Sequence, residues 1–390
     1  MAYGLVLTAN SQCPQSLIIA GVGEPGQEYY LESKDMGTSI LAFIVVLGVL
    51  IFFHELGHFL FARMFGVGVE KFSLGFGPRI FGWKAGLTDY RISAIPLGGY
   101  VKMVGEDPAV EMDPKDIAFS FTHKHVFKKL LIVAAGPLFN VLLAILIFLC
   151  IYLFSGTYIL KPTIGDVQEN MPAFESGLQK GDVIREIDGQ MISTWEEMAE
   201  GIAASNGRPM SFLIQRLDEM ITFEIKPITK KAKNLFGEDI NRYFIGVASA
   251  GDVENRKLGI GESVVESVRQ TYNIAELTIV SIAKLIKGTI STKTIGGPIM
   301  IAELAGQQAK EGALNFIFLI ALLSINLAII NFLPIPVLDG GHILFFLIEI
   351  IIGRPVNMRM REIAQQAGIF ILIMLMIFVF YNDITRIFTS

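Results

Sequence analysis

Cysteine, tryptophan, histidine and charged residues are all scarce in this sequence. Its 390 residues include two cysteines, two tryptophans and five histidines, and charged residues make up 18% of the chain. Two cysteines cannot form the disulfide framework of a small secreted protein. The 32 basic and 37 acidic residues give a net charge of −5, so there is no basic surplus for DNA or RNA. We therefore expect no nucleic-acid partner.

Long apolar runs are plentiful instead, because hydrophobic residues make up 52% of the chain. A helix that crosses a bilayer needs about 20 mostly apolar residues. Four stretches meet this requirement, and they lie at about 39–62, 130–157, 313–338 and 366–385. The sequence therefore predicts a polytopic α-helical membrane protein.

The predicted membrane core has two halves, at 36–160 and 301–390, which are separated by the soluble-like segment 161–250 and the connecting segment 251–300. Within the connecting segment, apolar residues recur with helical spacing from Ile260 to Lys287, which predicts an amphipathic helix at the membrane surface. We assign no function to residues 1–35.

Basic residues are concentrated in two loops, and their distribution predicts the orientation of the spans. Ten lie between the first and second spans, and three more, Arg354, Arg359 and Arg361, lie before the fourth. Basic loops remain in the cytoplasm, so the N-terminus and the segment 161–250 are expected on the extracytoplasmic side. The ten basic residues between the first and second spans are Arg63, Lys71, Arg79, Lys84, Arg91, Lys102, Lys115, Lys124, Lys128 and Lys129.

The first predicted span contains the metal-binding pattern His54-Glu55-Leu56-Gly57-His58. Residues four apart share one face of a helix, so both imidazoles can bind one zinc ion with Glu55 beside it. Chance would produce this pattern roughly 0.006 times in a chain of this composition. The structural alternative is a polar helix face that lines the interior of a bundle. Because charge inside a span is costly, the pattern favours a functional zinc site.

A catalytic zinc site needs a third protein ligand and an open position for water. Two candidates follow the third span, in the run Asn331-Phe-Leu-Pro-Ile-Pro-Val-Leu-Asp339-Gly-Gly-His342. Asp339 is the single acidic residue from Gly312 to Ile348, and the neighbouring prolines and glycines would allow it to turn inward. Spacing alone favours Asp339 and leaves His342 open as the competing ligand.

Together these motifs resemble the site-2 protease family of intramembrane zinc metalloproteases, peptidase family M50. HELGH is followed by FARMFGVGVEKFSLGFGP and IPLGGYVKMVGE, and the run at 331–342 resembles the second motif of the family. The likeness extends from Met36 to the C-terminus and is nearest to the bacterial branch. It implies an enzyme of the bacterial cytoplasmic membrane, with one zinc ion bound by His54, His58 and Asp339. Glu55 would be the general base.

The resemblance also implies how a substrate is held. Asn331 matches an asparagine that the family places near the substrate. Asn326 is a weaker candidate, and an interhelical hydrogen bond is its alternative. Asn140, which follows the small residues 134–136 and Pro137, we interpret as structural.

Residues 89–104 alternate partly and predict a hairpin that turns near Gly98 and Gly99. The family has a membrane-reentrant β-hairpin at this place, within the region 70–105. An open strand edge there would bind an extended substrate by β-addition. The alternative is an ordinary cytoplasmic hairpin.

The segment 161–250 resembles an α+β PDZ domain of the kind associated with bacterial proteases. A turn is predicted at Gly181-Asp182, a strand at 183–187, a tight turn at Asp188-Gly189, a helix at 195–204 and further strands over 211–225. A PDZ groove binds a peptide C-terminus or strand by edge addition. The alternative role is a steric filter that admits only trimmed substrates.

These features predict a zinc-dependent intramembrane endopeptidase that cuts single-pass transmembrane proteins after an earlier extracytoplasmic cleavage. By resemblance, the substrates include anti-sigma factors and remnant signal peptides, and membrane lipid is a further partner. One alternative is a non-catalytic PDZ membrane scaffold with a structural zinc, which leaves Glu55 unexplained. Another is a zinc or proton transporter, which would require more polar residues in the second and fourth spans.

Overall fold

A computed structural model of the protein describes residues 36–106, 113–114, 116–234 and 236–389, so the predicted N-terminal extension lies outside the described residues. The described helices are α1 (Met36–Met64), α2 (Val126–Ser155), α3 (Pro172–Glu175), α4 (Trp195–Ala204), α5 (Ile260–Ile286), α6 (Pro298–Glu311), α7 (Ala313–Phe332), α8 (Asp339–Ile352) and α9 (Met358–Thr389). The described strands are β1 (Val69–Ala85), β2 (Thr88–Met103), β3 (Thr157–Leu160), β4 (Ile164–Val167), β5 (Val183–Ile187), β6 (Gln190–Met191), β7 (Met210–Arg216), β8 (Glu219–Ile225), β9 (Ile228–Lys233), β10 (Asp239–Phe244), β11 (Val247–Ser249) and β12 (Val253–Arg256).

Of the described helices, α1, α2, α7 and α9 are long and apolar enough to cross a membrane. The predicted third span, 313–338, is too long, because α7 ends at Phe332. Pro334 and Pro336 lack a backbone N–H and disfavour helical backbone in the residues before them. The chain therefore makes a turn, in which Leu338 N donates to Ile335 O at 2.9 Å, and α8 begins directly afterwards. The fourth span is longer than predicted, since α9 already begins at Met358.

The described chain divides into two compact units. The membrane unit takes in the four long apolar helices, and the β-rich unit consists of 151–263 and 280–292. In the β-rich unit, β6, β5, β7 and β8 form a four-stranded sheet in that order. Alternate residues of β7, Phe212 and Ile214, are fully buried, as expected for a sheet with one covered face. Met198 and Ile202 of α4 belong to the same core.

Strands β1 and β2 form a long antiparallel hairpin in the membrane unit. The chain turns at residues 86–87, where Gly86 has a φ of +60°. It reverses again between residues 95 and 99, because Leu74 pairs with Ile92 on one side and with Gly99 on the other. The predicted reversal near Gly98 and Gly99 is therefore present, but its two arms pair with β1 and not with each other, so the predicted hairpin over 89–104 is wrong in its pairing. Those two glycines lie inside β2, where Gly98 has a φ of +148° and Gly99 pairs with Leu74. Glycine readily adopts a positive φ, both at turns and at irregular positions within strands, and the register of β2 against β1 shifts here.

Helix α5 exposes apolar residues and buries polar ones. Ser263, Ser267 and Thr271 are buried, whereas Val268 and Tyr272 are exposed. A helix with an exposed apolar face is typical of contact with lipid.

Asp182 is the buried acidic group of the β-rich unit. Its carboxylate accepts hydrogen bonds from Arg216 Nε at 2.7 Å, Arg216 Nη2 at 2.8 Å and Gln179 N at 2.8 Å. The same contact raises the pKa of Arg216 above its usual value. Breaking a buried pair leaves one charge without compensation, which costs more than the pair contributes.

We expect Asp182→Asn to lower the free energy of unfolding of the β-rich unit by about 3 kcal/mol. Limited proteolysis of the full chain in detergent, with fragments mapped by mass spectrometry, would detect the change as faster cleavage within 151–263. The matched control is Arg208→Gln, which breaks an exposed pair with Asp188 and should cost less than about 1 kcal/mol. If Asp182→Asn and the wild type resisted proteolysis within 151–263 equally well, the expectation would be contradicted.

Candidate metal centre

Two histidines and an aspartate that are far apart in the sequence meet in the membrane unit. His54 and His58 lie one turn apart on α1, and Asp339 is the first residue of α8. His54 Nε2 lies 3.1 Å from Asp339 Oδ2, and His58 Nε2 lies 3.6 Å from Asp339 Oδ1. The two Nε2 atoms are 3.2 Å apart. Each side chain can therefore offer one ligand atom to a common metal ion.

The three side chains fit a single zinc ion. Two ligands of a tetrahedral zinc ion at ordinary bond lengths are about 3.3 Å apart, close to the observed distances. His58 Nδ1 donates to the carbonyl of Ile132 at 2.9 Å, so its Nε2 presents a lone pair. Asp339 Oδ2 is buried and makes no hydrogen bond to a described residue. His58 Nε2 and the carboxylate of Asp339 are thus both acceptors, and acceptors this close together repel one another unless a cation lies between them.

Asp339 reaches the cluster because the chain folds tightly over the start of α8. A methyl group at Gly340 would lie 2.2 Å from Leu333 O, and one at Gly341 would lie 2.3 Å from Ile335 O. Only glycine fits at these two positions. His342, the competing candidate, lies one turn further along α8 and is not part of the cluster of three.

Two glycines allow α1 and α2 to pack closely beside the histidines. A methyl group at Gly57 would lie 2.3 Å from Ala135 O. One at Gly136 would lie 2.3 Å from His58 Nε2 and 2.9 Å from His54 Cε1. Small residues commonly permit close approach of membrane helices. Here the absent side chain of Gly136 also leaves the space in which the imidazole rings lie.

Asn140, which the sequence analysis assigned a structural role, contacts the cluster. It is fully buried, and its carboxamide lies 3.2 Å from His54 Nδ1. Its backbone carbonyl accepts a hydrogen bond from Ser324 Oγ at 2.8 Å. The structural interpretation was therefore incomplete. Asn140 follows Gly136 by four residues on α2, and this spacing was the available signal for a polar group on the same helix face.

Glu55 is buried and lies beside the hairpin. A methyl group at Gly99 of β2 would lie 3.0 Å from Glu55 Cγ and 2.6 Å from Ile51 Cγ2. One at Gly98 would lie 2.2 Å from the ring of Phe76. Gly99 is therefore next to the acidic residue of the HELGH motif, whereas Gly98 packs within the hairpin.

The two candidate asparagines of the third span differ in their contacts. Asn326 Oδ1 accepts a hydrogen bond from Thr278 Oγ1 of α5 at 2.8 Å, which is the interhelical alternative that the sequence left open. Asn331 lies in the last turn of α7, and its half-buried side chain makes no hydrogen bond to a described residue. It is thus available to a ligand.

Three potential metal ligands on apolar helices, with an acidic residue between two of them in the sequence, are typical of a metallopeptidase site. Comparisons with known proteins identify the family. The model of peptidase family M50 matches residues 42–375, so the chain belongs to this family. A Campylobacter jejuni protein named as a zinc metalloprotease is 41% identical over 357 residues, which cover 91% of this chain and 95% of the relative. The zinc metalloprotease RasP of Bacillus licheniformis is 29% identical over 426 residues, covering 90% and 99%.

Among solved structures, a PDZ domain of an SdrC-like protein from Listeria monocytogenes is similar at 24% identity. The similarity covers 22% of this chain and 84% of that domain, with a TM-score of 0.19.

Membership of the family settles the class of the protein. It is a metalloendopeptidase with zinc as its cofactor. This finding decides against the non-catalytic scaffold and against the transporter.

We expect Gly136→Ala to lower the zinc affinity of the purified chain about tenfold or more, because the added methyl group must displace an imidazole. Metal content after dialysis against a chelator would measure the effect. Gly48→Ala in α1 is the control, since a methyl group there meets nothing within 4 Å. Equal zinc retention by wild type and both variants would show that the ligands do not lie beside Gly136.

Proposed function

We propose that the protein is an intramembrane endopeptidase that hydrolyses peptide bonds within the transmembrane segments of single-pass membrane proteins. The observation that carries the proposal is that His54, Glu55 and His58 lie within an apolar helix long enough to cross a membrane. A hydrolytic centre at that position is reached most directly by a substrate that is itself in the membrane. Anti-sigma factors and remnant signal peptides, trimmed first by an extracytoplasmic cleavage, are the proposed substrates.

His54, His58 and Asp339 are the proposed zinc ligands. Zinc, when bound, supplies a Lewis acid that polarises the scissile carbonyl and lowers the pKa of water. Three protein ligands would leave one position for water, as in catalytic and not in structural zinc sites.

Glu55 is the proposed general base. Glu55 lies between two of the proposed ligands in the sequence and is not a member of the cluster of three, so its carboxylate would lie near the metal without binding it. It would accept a proton from the attacking water and return it to the leaving amine. Burial beside Ile51 and Gly99 excludes bulk water from the carboxylate.

A helical substrate must be unwound before it is cut, because its carbonyl groups are held in i→i−4 hydrogen bonds. Residues 99–102 of β2 pair with 71–74 of β1, and no other described strand pairs with this part of β2. An extended substrate segment added at this edge would pass Gly99 and so lie next to Glu55. The free carboxamide of Asn331 would then hydrogen-bond the substrate backbone or the developing oxyanion.

The β-rich unit acts, in this proposal, as a PDZ domain on the extracytoplasmic side. Its tight turn at Asp188 and Gly189, both with positive φ, and its helix α4 agree with the elements that the sequence predicts. We favour a steric filter for trimmed substrates over a sensor of peptide C-termini. We infer from the basic loops that the active site lies toward the cytoplasmic side of a bacterial cytoplasmic membrane.

We expect Glu55→Gln to retain zinc and to cut a single-pass model substrate in detergent at least about 100-fold more slowly, because amide nitrogen and oxygen cannot take up the proton. Gel analysis of the product and metal analysis of each preparation would provide the two readouts. Glu362→Gln, which alters an exposed glutamate of α9, is the matched control and should cut like wild type.

Wild-type rates of cleavage by Glu55→Gln would contradict the assignment of the general base. Cleavage of water-soluble peptides but of no transmembrane segment, by the wild-type chain, would contradict the proposed substrate class.

A further inference from the structure

His54 and His58 are held by different kinds of partner. The Nδ1 of His58 faces a backbone carbonyl, that of Ile132, at 2.9 Å. A carbonyl oxygen can only accept, so His58 carries its proton on Nδ1 and has Nε2 free to bind metal. The Nδ1 of His54 instead faces the carboxamide of Asn140 at 3.2 Å. A carboxamide has a donor end and an acceptor end, so its orientation decides which nitrogen of His54 carries the proton.

With Asn140 Nδ2 directed at His54, the imidazole must accept at Nδ1 and carry its proton on Nε2. That tautomer cannot bind a metal through Nε2, although Nε2 is the atom that lies 3.1 Å from Asp339 Oδ2. The same orientation leaves Asn140 Oδ1 buried without a hydrogen-bond partner. A change in the orientation of the carboxamide removes the first difficulty and gives Oδ1 a hydrogen-bond donor, and Nδ2 then takes the former place of Oδ1.

Rotation of the carboxamide by half a turn exchanges Oδ1 and Nδ2, which occupy nearly the same space. Asn140 Oδ1 then accepts a hydrogen bond from His54 Nδ1–H, and His54 Nε2 is left as a lone-pair donor to the metal. The backbone of Asn140 is fixed by Ser324 of α7, whose hydroxyl donates to the Asn140 carbonyl at 2.8 Å. Full burial on α2 leaves the side chain little freedom to leave His54.

We propose that Asn140 is a positioning residue of the zinc centre, which accepts the Nδ1–H of His54 and thereby selects the tautomer that binds zinc through Nε2. The proposal rests on the zinc site proposed above. Partners of this kind orient metal-binding histidines in many proteins, and their loss typically weakens metal binding about 10- to 100-fold. In this chain, a second membrane helix would contribute to the metal centre without providing a ligand.

The test is the zinc affinity of the purified full-length chain in detergent, measured by competition with a chromophoric chelator. Asn140→Leu preserves the size of the side chain but removes the acceptor, and we expect a loss of affinity of about 10- to 100-fold. Asn140→Asp keeps an acceptor and has no donor, so we expect it to bind zinc within about threefold of wild type. Asn315→Leu makes the same chemical change at another buried asparagine, in α7, and should retain wild-type affinity.

Cobalt in place of zinc provides a second readout, because its visible absorption bands report the ligand geometry directly. We expect the spectrum of Asn140→Asp to match wild type and that of Asn140→Leu to differ. Wild-type affinity and spectrum in Asn140→Leu would overturn the proposal. If Asn140→Leu does not fold, Asn140→Asp decides the question, because an affinity more than tenfold below wild type in that variant also overturns it.

His54→Ala separates this inference from the site on which it rests. Loss of zinc binding in His54→Ala supports the proposed ligands, and the Asn140 variants then test the positioning role alone. Full zinc binding in His54→Ala would overturn the ligand assignment and with it the role of Asn140.

Discussion

Two imidazoles and a carboxylate among apolar helices carry a large desolvation cost, which a shared metal ion bound by all three would offset. The rest of the membrane unit is arranged around this interaction. The first span and the start of α8 must meet, and α1 and α2 must approach closely enough for the rings to lie beside Gly136. Prolines and glycines around Asp339 allow the chain to leave a helix and enter the cluster without a steric clash.

Each proposed ligand is held by a different structural device. The backbone carbonyl of Ile132 accepts a hydrogen bond from His58 and so orients its ring. The hydrogen bonds of α2 are interrupted at the neighbouring residue, because Pro137 has no N–H to donate to the carbonyl of Val133. The carboxamide of Asn140 faces His54, and the first turn of α8 carries Asp339. The contacts of Ile132 and Asn140 orient the two rings, and the backbone at the start of α8 brings in the carboxylate, so a metal ion would find the three groups already close together.

Local patterns in the sequence predict most of the elements and part of the candidate site. Four-residue spacing places His54 and His58 on one helix face, and turn and strand signals locate β5 and α4 at their observed residues. Such local patterns do not predict which segments far apart in the sequence will contact one another. The sequence predicted the chain reversal near Gly98 and Gly99, but it paired the two arms with each other, whereas both pair with β1. Alternation within one segment does not report which strand lies beside it. The contact of Asn140 was missed because helix packing determines which side chain meets His54, and spacing within one helix does not report it.

The central claim is that residues from the two ends of the membrane core bind one zinc ion, with Asp339 as the third ligand. The most direct test is the zinc content of the purified Asp339→Ala and His342→Ala variants beside the wild type. Our account predicts that Asp339→Ala loses zinc while His342→Ala retains a full complement, because His342 lies outside the cluster. Retention of zinc by Asp339→Ala together with its loss from His342→Ala would contradict the account.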